Sequence, residues 1–345
     1  MRILVATDAA PPQINGVVRT YEHLAVEARR WGAEIVFLTP HDFRTVPCPI
    51  YAGVRLALWD ARTIAARIDA HAPRYIHIAT EGPIGLMARS YCLARGIPFT
   101  TCFHTRFPEY AAAMLGVPAS LGYALLRRFH NASAGTMVAT SSSRKELSAR
   151  GFERLMPWTR GVDTDRFHPR EVRLFGPAPV FLSVGRISGE KNLEAFLDLD
   201  LPGRKVVVGE GPLLETLRRR YPHVLFTGAK QGEELAACYA SADVFVFPSR
   251  TDTFGLVLLE AMASGLPVAA FPVTGPRDVV AHGTSGILDD DLARAARQAL
   301  RLAPADARRH ALHFSWAGSA KQFVSNVVEA CAARRIVCGQ SSIAL

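Results

Sequence analysis

The chain has 345 residues, of which 49% are hydrophobic, and it carries a formal net charge of +9. This length predicts two domains, and the longest apolar runs are far shorter than the roughly 20 residues that span a bilayer. Six cysteines without a C-x-x-C pair argue against a disulfide framework or a zinc site, and no nucleic-acid-binding motif accompanies the basic charge.

The first predicted strand is Arg2–Ala6, and the loop after it contains Asn15-Gly16. Asn-Gly permits a tight turn, and a helix beginning near Val17 would direct its first amides at an anion such as phosphate. The fingerprint G-x-G-x-x-G is missing after this strand, which argues against a nicotinamide-dependent enzyme.

A second apolar strand, residues 97–103, ends at His104. Open α/β sheets bind ligands at the carboxyl ends of their strands, so His104 is a candidate functional residue. The alternative is a structural histidine, which is the commoner role of an isolated one.

Residues 110–130 combine apolar bulk with cations, among them Arg127 and Arg128. Such a segment could lie on a membrane or hold a lipid acceptor, or it could be a core-facing helix with a basic outer edge. Residues 1–170 hold 21 Lys and Arg against 13 Asp and Glu, a net charge of +8. We therefore expect an anionic bilayer as a partner, because each basic residue near its surface contributes about 1 kcal/mol.

Proline and glycine cluster at residues 168–179, where we place the domain boundary. Just before it, Asp163 and Asp165 form an Asp-x-Asp pair that can hold a divalent ion. A structural interdomain loop is the interpretation we prefer for this pair.

The second half begins with the apolar strand Val180–Val184, followed by Gly185, Arg186 and Lys191. We predict a helix starting near Asn192, so that both cations stand at a strand-to-helix junction, a typical phosphate site. Two solvated charges at a helix start are the alternative.

The next apolar strand, residues 205–208, leads into Gly209 and Gly211. Glycines at such positions let a backbone approach a nucleotide closely. The pair is a weak fingerprint by itself, because the third glycine of a dinucleotide motif is missing.

Residues 249–268 form the most informative stretch. They follow a buried strand, residues 243–247, and carry Asp252 on a loop and Glu260 on an otherwise apolar helix, 256–263. A lone carboxylate in such a helix must be paired or must face a polar pocket. The stretch therefore indicates a sugar- and ribose-binding edge, and a capped helix with one satisfied glutamate is the alternative.

The stretch contains an acid, Asp252, then seven residues and then Glu260, with Phe254-Gly255 just after the acid. This pattern resembles the signature of retaining family 4 nucleotide-sugar glycosyltransferases. Most members have Glu where this chain has Asp252. The local sequence Thr-Asp-Thr-Phe-Gly resembles the subset of lipid sulfoquinovosyl-, mannosyl- and diacylglycerol glycosyltransferases. The resemblance covers about residues 1–330.

The resemblance implies an α/β protein of the GT-B fold, two Rossmann-like doubly wound domains facing a central cleft. Residues 1–170 would form the acceptor-side domain, with a C-terminal helix, about 315–333, crossing back to it. Residues 171–314 would form the nucleotide-sugar domain, and residues 334–345 should be frayed.

The resemblance also implies site roles. Arg186 and Lys191 would clamp the donor diphosphate, Asp252 would hold sugar hydroxyls, and Glu260 the ribose hydroxyls. His104 would contact the donor sugar; with Arg186, Lys191 and Asp252 it makes up the expected catalytic set. The other expected donor contacts are Asn15, Gly16, Gly185, Gly209, Gly211, Ala229, Lys230, Thr253, Phe254, Gly255 and Leu256.

The resemblance implies a retaining, metal-independent hexosyltransferase that needs no cofactor. It would move a sugar from UDP or GDP to a hydroxyl group on a diacylglycerol-type lipid. We expect a cytoplasmic protein, peripheral on the inner face of the membrane. The alternatives are a soluble polysaccharide transferase, a GT-B UDP-sugar epimerase and, less favoured, a catalytically dead nucleotide-binding regulator. No nucleic-acid partner is expected.

Overall fold

The computed structural model describes residues 1–13, 15–48, 55–109, 112, 116–177 and 179–337. Contacts divide the chain into two compact units: unit 1 comprises Met1–Thr159 and the segment from Trp316 onward, and unit 2 comprises Arg160–Ser315. The sequence had placed the boundary at 168–179. Residues just before that stretch pack within unit 2, where the Phe167 ring lies 5.7 Å from that of Tyr239.

Unit 1 is built on six parallel strands in the order β2-β1-β5-β6-β7-β8, and β3 and β4 form a separate antiparallel pair. Its strands are β1 (Arg2–Ala6), β2 (Glu34–Leu38), β3 (Thr45–Pro47), β4 (Arg55–Ala57), β5 (Tyr75–Ile78), β6 (Phe99–Phe103), β7 (Gly135–Val138) and β8 (Leu155–Pro157). Its helices are α1 (Gly16–Glu27), α2 (Ala61–His71), α3 (Pro83–Ala94), α4 (Ala119–His130) and α5 (Ser141–Ala149), with the C-terminal helix Trp316–Val337 packed on the same sheet.

Both faces of this sheet are covered. Ile3 and Val5 of β1 pack with α1 and the C-terminal helix, while Leu4 and Ala6 pack with α2 and α3. Successive side chains of a strand point to opposite faces, so continuous apolar strands require this double cover.

Side-chain caps begin several helices. The carboxylate of Asp60 accepts hydrogen bonds from the Arg62 and Thr63 amides, and these bonds lower the pKa of Asp60. Thr140 caps α5 through the Ser143 amide. Each cap satisfies amides that have no partner inside the helix.

Unit 2 also has six parallel strands, in the order β11-β10-β9-β12-β13-β14. They are β9 (Val180–Val184), β10 (Arg204–Val208), β11 (Leu225–Phe226), β12 (Val244–Phe247), β13 (Val268–Ala270) and β14 (Gly286–Leu288). The remaining helices, with the C-terminal helix of unit 1 as the last, are α6 (Glu194–Leu197), α7 (Leu214–Arg220), α8 (Gly232–Ala240), α9 (Leu256–Ala263), α10 (Pro276–Val279), α11 (Leu292–Ala299), α12 (Pro304–Ala311) and α13 (Trp316–Val337).

The structure changes the expectation for the C-terminal end, and it describes part of the basic segment 110–130. Residues 334–337 are helical rather than frayed, and residues 338–345 lie outside the described part. Within the basic segment 110–130, Phe129 is buried in the core of unit 1 and is not a surface residue. Tyr110, Met114 and Leu115 of that segment lie outside the described residues.

Among the residues described, none of the helices combines the length and the apolar composition that crossing a bilayer requires.

We predict that Gly209→Ala destabilises unit 2 by about 3 kcal/mol, the upper range for overpacking. A Cβ at Gly209, where φ is 151°, would stand 1.9 Å from the carbonyl oxygen of Gly185. The control is Gly232→Ala, because Gly232 has φ 54° but no atom within 4 Å of an added Cβ. The thermal midpoint should fall much further for Gly209→Ala; equal shifts would show that backbone conformation alone decides the cost.

Candidate donor-binding site

The reversal of strand order in unit 2 lies between β9 and β12. Counting only its own strands, this sheet has the order 3-2-1-4-5-6, the arrangement in which dinucleotides bind outside the carboxyl ends at the point of reversal. Gly185, Arg186 and Lys191 follow β9, and Asp252 follows β12. The fold thus places the candidate phosphate and sugar residues on both sides of one opening.

Lys191 and Asp252 contact each other directly across this opening. The Lys191 ammonium donates to both carboxylate oxygens of Asp252, at 2.7 and 2.9 Å. Their side chains are 27% and 19% exposed, so solvent reaches the pair and its net contribution to stability is about 1 kcal/mol at most. A ligand with phosphate and hydroxyl groups can therefore separate the two partners at little cost.

The backbone between Arg186 and Lys191 differs from the prediction. A 3₁₀ turn spans Gly189–Lys191, Asn192 adopts φ 52°, and the helix that follows, α6, has only four residues. The side-chain amide of Asn192 donates to the Pro248 carbonyl at 3.0 Å, which ties this loop to the end of β12. The positive charge at this end of β9 therefore comes from the side chains of Arg186 and Lys191 and not from a helix dipole. The side chain of Arg186 is exposed.

Glu260 is buried, with 6% of its surface exposed, on α9. The hydroxyl of Tyr239, on α8, donates to one carboxylate oxygen of Glu260 at 2.9 Å. A buried carboxylate needs such bonds, and each further hydroxyl that binds there benefits from its charge.

The turn between Asp252 and Glu260 is packed on both sides. Phe254 is buried and its ring lies 6.4 Å from that of Phe314, while Gly255, with φ 85°, caps α9. A Cβ at Gly275 would stand 2.9 Å from the Asp252 carbonyl oxygen, so a second glycine supports this turn. Thr253 and Leu256 are half-buried beside it.

The glycines that we expect to face the nucleotide also lie close to the protein's own backbone. Added Cβ atoms would stand 1.9 Å from the Gly185 oxygen at Gly209 and 2.3 Å from the Ile187 oxygen at Gly211. These glycines let the loops after β9 and β10 pack against each other. Gly185 itself has φ 153°, a conformation that favours glycine, but no atom lies within 4 Å of a Cβ added there.

Two expected donor contacts lie farther along the same edge. Ala229 and Lys230 follow β11, the outermost strand on that side of the sheet. Ala229 is exposed, and the Lys230 ammonium lies 3.5 Å from the carboxylate of Glu234.

The glycine loop of unit 1 forms a helix cap. The side chain of Asn15 accepts hydrogen bonds from the Val17 and Val18 amides, and α1 begins at Gly16. Two of the first amides of α1, which the sequence had assigned to phosphate, are therefore already bonded to Asn15.

His104 follows β6 at the carboxyl edge of the unit 1 sheet and is half-buried. Its Nε2 lies 3.1 Å from the hydroxyl of Tyr21, which in turn lies 2.8 Å from His77 Nε2. The sequence reasoning missed Tyr21 and His77. A histidine inside the otherwise apolar strand β5 was the available signal.

Asp8 is a third missed residue, 9% exposed, at the strand-order reversal of unit 1. Its carboxylate accepts hydrogen bonds from the Thr80 hydroxyl at 2.7 Å and the Ile84 amide at 3.0 Å, at the start of α3. Burial raises the pKa of Asp8, and these bonds counteract the rise.

The Asp-x-Asp pair has a local role. Asp163 accepts a hydrogen bond from the Arg166 amide at 3.0 Å, as in a turn. In the part of the chain that the structure describes, no three His, Cys, Asp or Glu side chains are grouped as a metal site requires.

Comparisons with known proteins agree with this architecture. Residues 14–166 match the family described as Glycosyltransferase Family 4, and residues 178–304 match Glycosyl transferases group 1. Sucrose-phosphate synthase from Thermosynechococcus elongatus superposes with a TM-score of 0.79 at 20% identity, covering 96% of this chain and 99% of that one. The predicted GT-B type of fold is confirmed.

Three curated relatives are similar in sequence. A GDP-mannose-dependent alpha-mannosyltransferase of Mycobacterium tuberculosis is 32% identical over 359 residues, 92% of this chain and 93% of that protein. Sulfoquinovosyl transferase SQD2 of Arabidopsis thaliana is 31% identical over 83% of this chain, which spans only 62% of that protein. Alpha-monoglucosyldiacylglycerol synthase of Streptococcus pneumoniae is 28% identical, over 90% of this chain and 81% of that protein.

The predicted family is thereby confirmed. The Asp252-x7-Glu260 motif stands at the strand-order reversal of a Rossmann-like unit, and the mannosyltransferase relative matches nearly the whole chain. The chain belongs to glycosyltransferase family 4, and it is a glycosyltransferase.

Proposed function

We propose that this enzyme transfers a hexose from a UDP- or GDP-linked donor to a hydroxyl of a diacylglycerol-type lipid, with retention of configuration. The observation that carries the donor half is the Lys191–Asp252 contact at the strand-order reversal, with Arg186 on the same loop as Lys191. Cations that can bind a diphosphate lie here beside a carboxylate that can accept hydrogen bonds from sugar hydroxyls.

The diphosphate, the sugar and the ribose of the donor bind to different residues of this site, according to charge. Lys191 and Arg186 bind the diphosphate, and Asp252, released from Lys191, accepts hydrogen bonds from the sugar. Glu260 accepts hydrogen bonds from the ribose, the same type of bond that it accepts from Tyr239. The names of two relatives support this class of substrate: one specifies GDP-mannose and another the glucosylation of diacylglycerol.

We further propose that the reaction needs no metal ion. The departing diphosphate gains negative charge, and two fixed cations can stabilise it as preorganised hydrogen-bond donors stabilise an oxyanion. The leaving phosphate oxygen takes the proton of the acceptor hydroxyl on the same face of the sugar. The new glycosidic bond then has the configuration of the bond that breaks.

The proposal is tested by screening radiolabelled UDP- and GDP-hexoses against a membrane lipid extract and, separately, a soluble oligosaccharide mixture. A labelled glycolipid with the anomeric configuration of the donor supports it. Transfer only to oligosaccharide would favour a polysaccharide transferase, and release of nucleoside diphosphate without any acceptor product would favour an epimerase.

Surface features of unit 1 support docking on an anionic bilayer. Leu121 and Leu125, one turn apart on α4, are 55% and 63% exposed, and Arg127 and Arg128 follow them. The guanidinium of Arg89, on α3, donates to the Arg128 carbonyl, so α3 and α4 are neighbours. Exposed apolar groups beside arginines fit the interface of a negatively charged membrane.

We predict that Arg186→Ala lowers turnover by about 10²–10³-fold, the effect of removing one preorganised donor to a developing charge. Arg218→Ala, an exposed arginine of the same unit, should change little. Steady-state rates with a saturating donor measure the difference. A chelator should leave wild-type activity intact, and a loss that magnesium restores would refute metal independence.

Calorimetry with free nucleoside diphosphate should separate the two carboxylates. Glu260→Gln should weaken binding about tenfold or more, because hydrogen bonds to a charged group contribute about 1.5–3 kcal/mol. Asp252→Asn should bind as tightly as the wild type or more tightly, because Lys191 loses its ionic partner. Glu215→Gln, on the surface of α7, is the control. Weaker binding by Asp252→Asn than by Glu260→Gln would reverse the two roles.

Flotation with vesicles tests the membrane proposal. The double variant Arg127→Glu/Arg128→Glu should lose binding to anionic vesicles, with nucleoside diphosphate binding intact, and added salt should weaken wild-type binding because exposed charges are screened over about 8 Å. The control Arg29→Glu/Arg30→Glu makes the same charge change next to α1, which covers the other face of the sheet. Equal recovery of the wild type on neutral and anionic vesicles, or none on either, would contradict the proposal.

A further inference from the structure

A chain of hydrogen-bonding groups runs through unit 1 to His104. The hydroxyl of Tyr21 lies 2.8 Å from His77 Nε2 and 3.1 Å from His104 Nε2. The other ring nitrogen of His77, Nδ1, lies 2.8 Å from the Thr100 hydroxyl. Four side chains, from α1, β5 and β6 and from the loop after β6, thus form one continuous path.

Three of these four side chains are buried. Tyr21 is 3% exposed, and His77 and Thr100 are 0% exposed. Trp158 and Phe323 pack against the path, with ring centroids 5.7 Å from Tyr21 and 4.9 Å from His77 respectively. A polar ring in such apolar surroundings costs free energy unless it is hydrogen-bonded.

The chemistry of one hydroxyl couples the two histidines. A tyrosine hydroxyl carries a single proton, so between two imidazole nitrogens it donates to one and accepts from the other. If Tyr21 donates to His77, then Nε2 of His104 carries a proton and donates a hydrogen bond to Tyr21. If His77 donates to Tyr21, then Tyr21 donates to Nε2 of His104, which carries no proton. The direction of the path therefore decides the tautomer of neutral His104.

We propose that Tyr21 and His77 are positioning residues that fix the ring orientation and the tautomer of His104. The inference rests on the proposed function and on the role that the family resemblance implies for His104, a contact to the transferred sugar. Tyr21 and His77 act only through His104. A phenylalanine would fill the site of Tyr21 equally well, but it could not join His77 to His104.

The first test is Tyr21→Phe, which keeps the ring and its packing and removes the hydroxyl. We expect kcat to fall about tenfold to a hundredfold, as for a misplaced reacting group, with the KM for the donor and the affinity for free nucleoside diphosphate unchanged. Tyr91→Phe is the matched control, because Tyr91 is also a buried tyrosine of unit 1 and donates to Asp69. Wild-type kcat in Tyr21→Phe, or an equal loss in Tyr91→Phe, would overturn the inference.

The second test compares two replacements of His77. Glutamine can still donate to the Tyr21 hydroxyl, whereas leucine cannot, so His77→Gln should retain much more kcat than His77→Leu. Thermal midpoints of both variants report on folding. Equal kcat in two folded variants would show that the bond to Tyr21 does not matter.

A third measurement needs no variant to fold. In wild-type protein with ¹⁵N-labelled histidine, the imidazole shifts of His104 should report one dominant tautomer; an even mixture would contradict the inference.

The variant His104→Ala distinguishes failure of this inference from failure of the role of His104. If His104→Ala loses activity while Tyr21→Phe does not, only the inference fails; if His104→Ala is fully active, the role of His104 and the inference fail together.

Discussion

The donor-binding unit depends on one topological constraint, the reversal of strand order between β9 and β12. Crossovers between parallel strands are right-handed, so the chain leaves these two strands toward opposite faces of the sheet and their loops separate at the carboxyl edge. Lys191 and Asp252, 61 residues apart in the chain, meet across that separation. The resulting ion pair holds a cation and a carboxylate at the place where a diphosphate and a sugar would take one each.

Backbone packing keeps this opening in shape. Gly209 and Gly211 let the loop after β10 lie directly on the loop after β9. Gly275 likewise lets its own loop approach the backbone of Asp252. The side-chain amide of Asn192 ties the lysine loop to Pro248 at the end of β12. Because these contacts join parts of the protein itself, the loops can be positioned before any donor binds, and preorganised groups need little rearrangement during the reaction.

Unit 1 uses its buried polar groups differently. At its strand-order reversal, the carboxylate of Asp8 accepts a hydrogen bond from the Ile84 amide, so the protein itself supplies an anionic partner for the start of α3. Its polar path ends instead at His104, one strand further along the sheet. Exposed leucines and arginines lie on α4, which together with α3 covers the face of the sheet opposite α1. The surface that we propose for membrane docking and the polar path to His104 thus belong to the same sheet.

The sequence by itself determined what depends on a few consecutive residues: the strand Val180–Val184, the helix Leu256–Ala263, and the motif of Asp252 and Glu260 that marks the family. It misplaced the helix near Asn192, where the chain forms a 3₁₀ turn that ends at Asn192 with a positive φ. The side-chain amide of Asn192 donates to Pro248, a partner 56 positions away that local patterns do not reveal. Only the tertiary structure decided that Lys191 faces Asp252, that Tyr239 bonds Glu260 and that Tyr21 joins two histidines. These partners come from different strands and helices, and the order of strands in a sheet, which local patterns do not encode, brings them together.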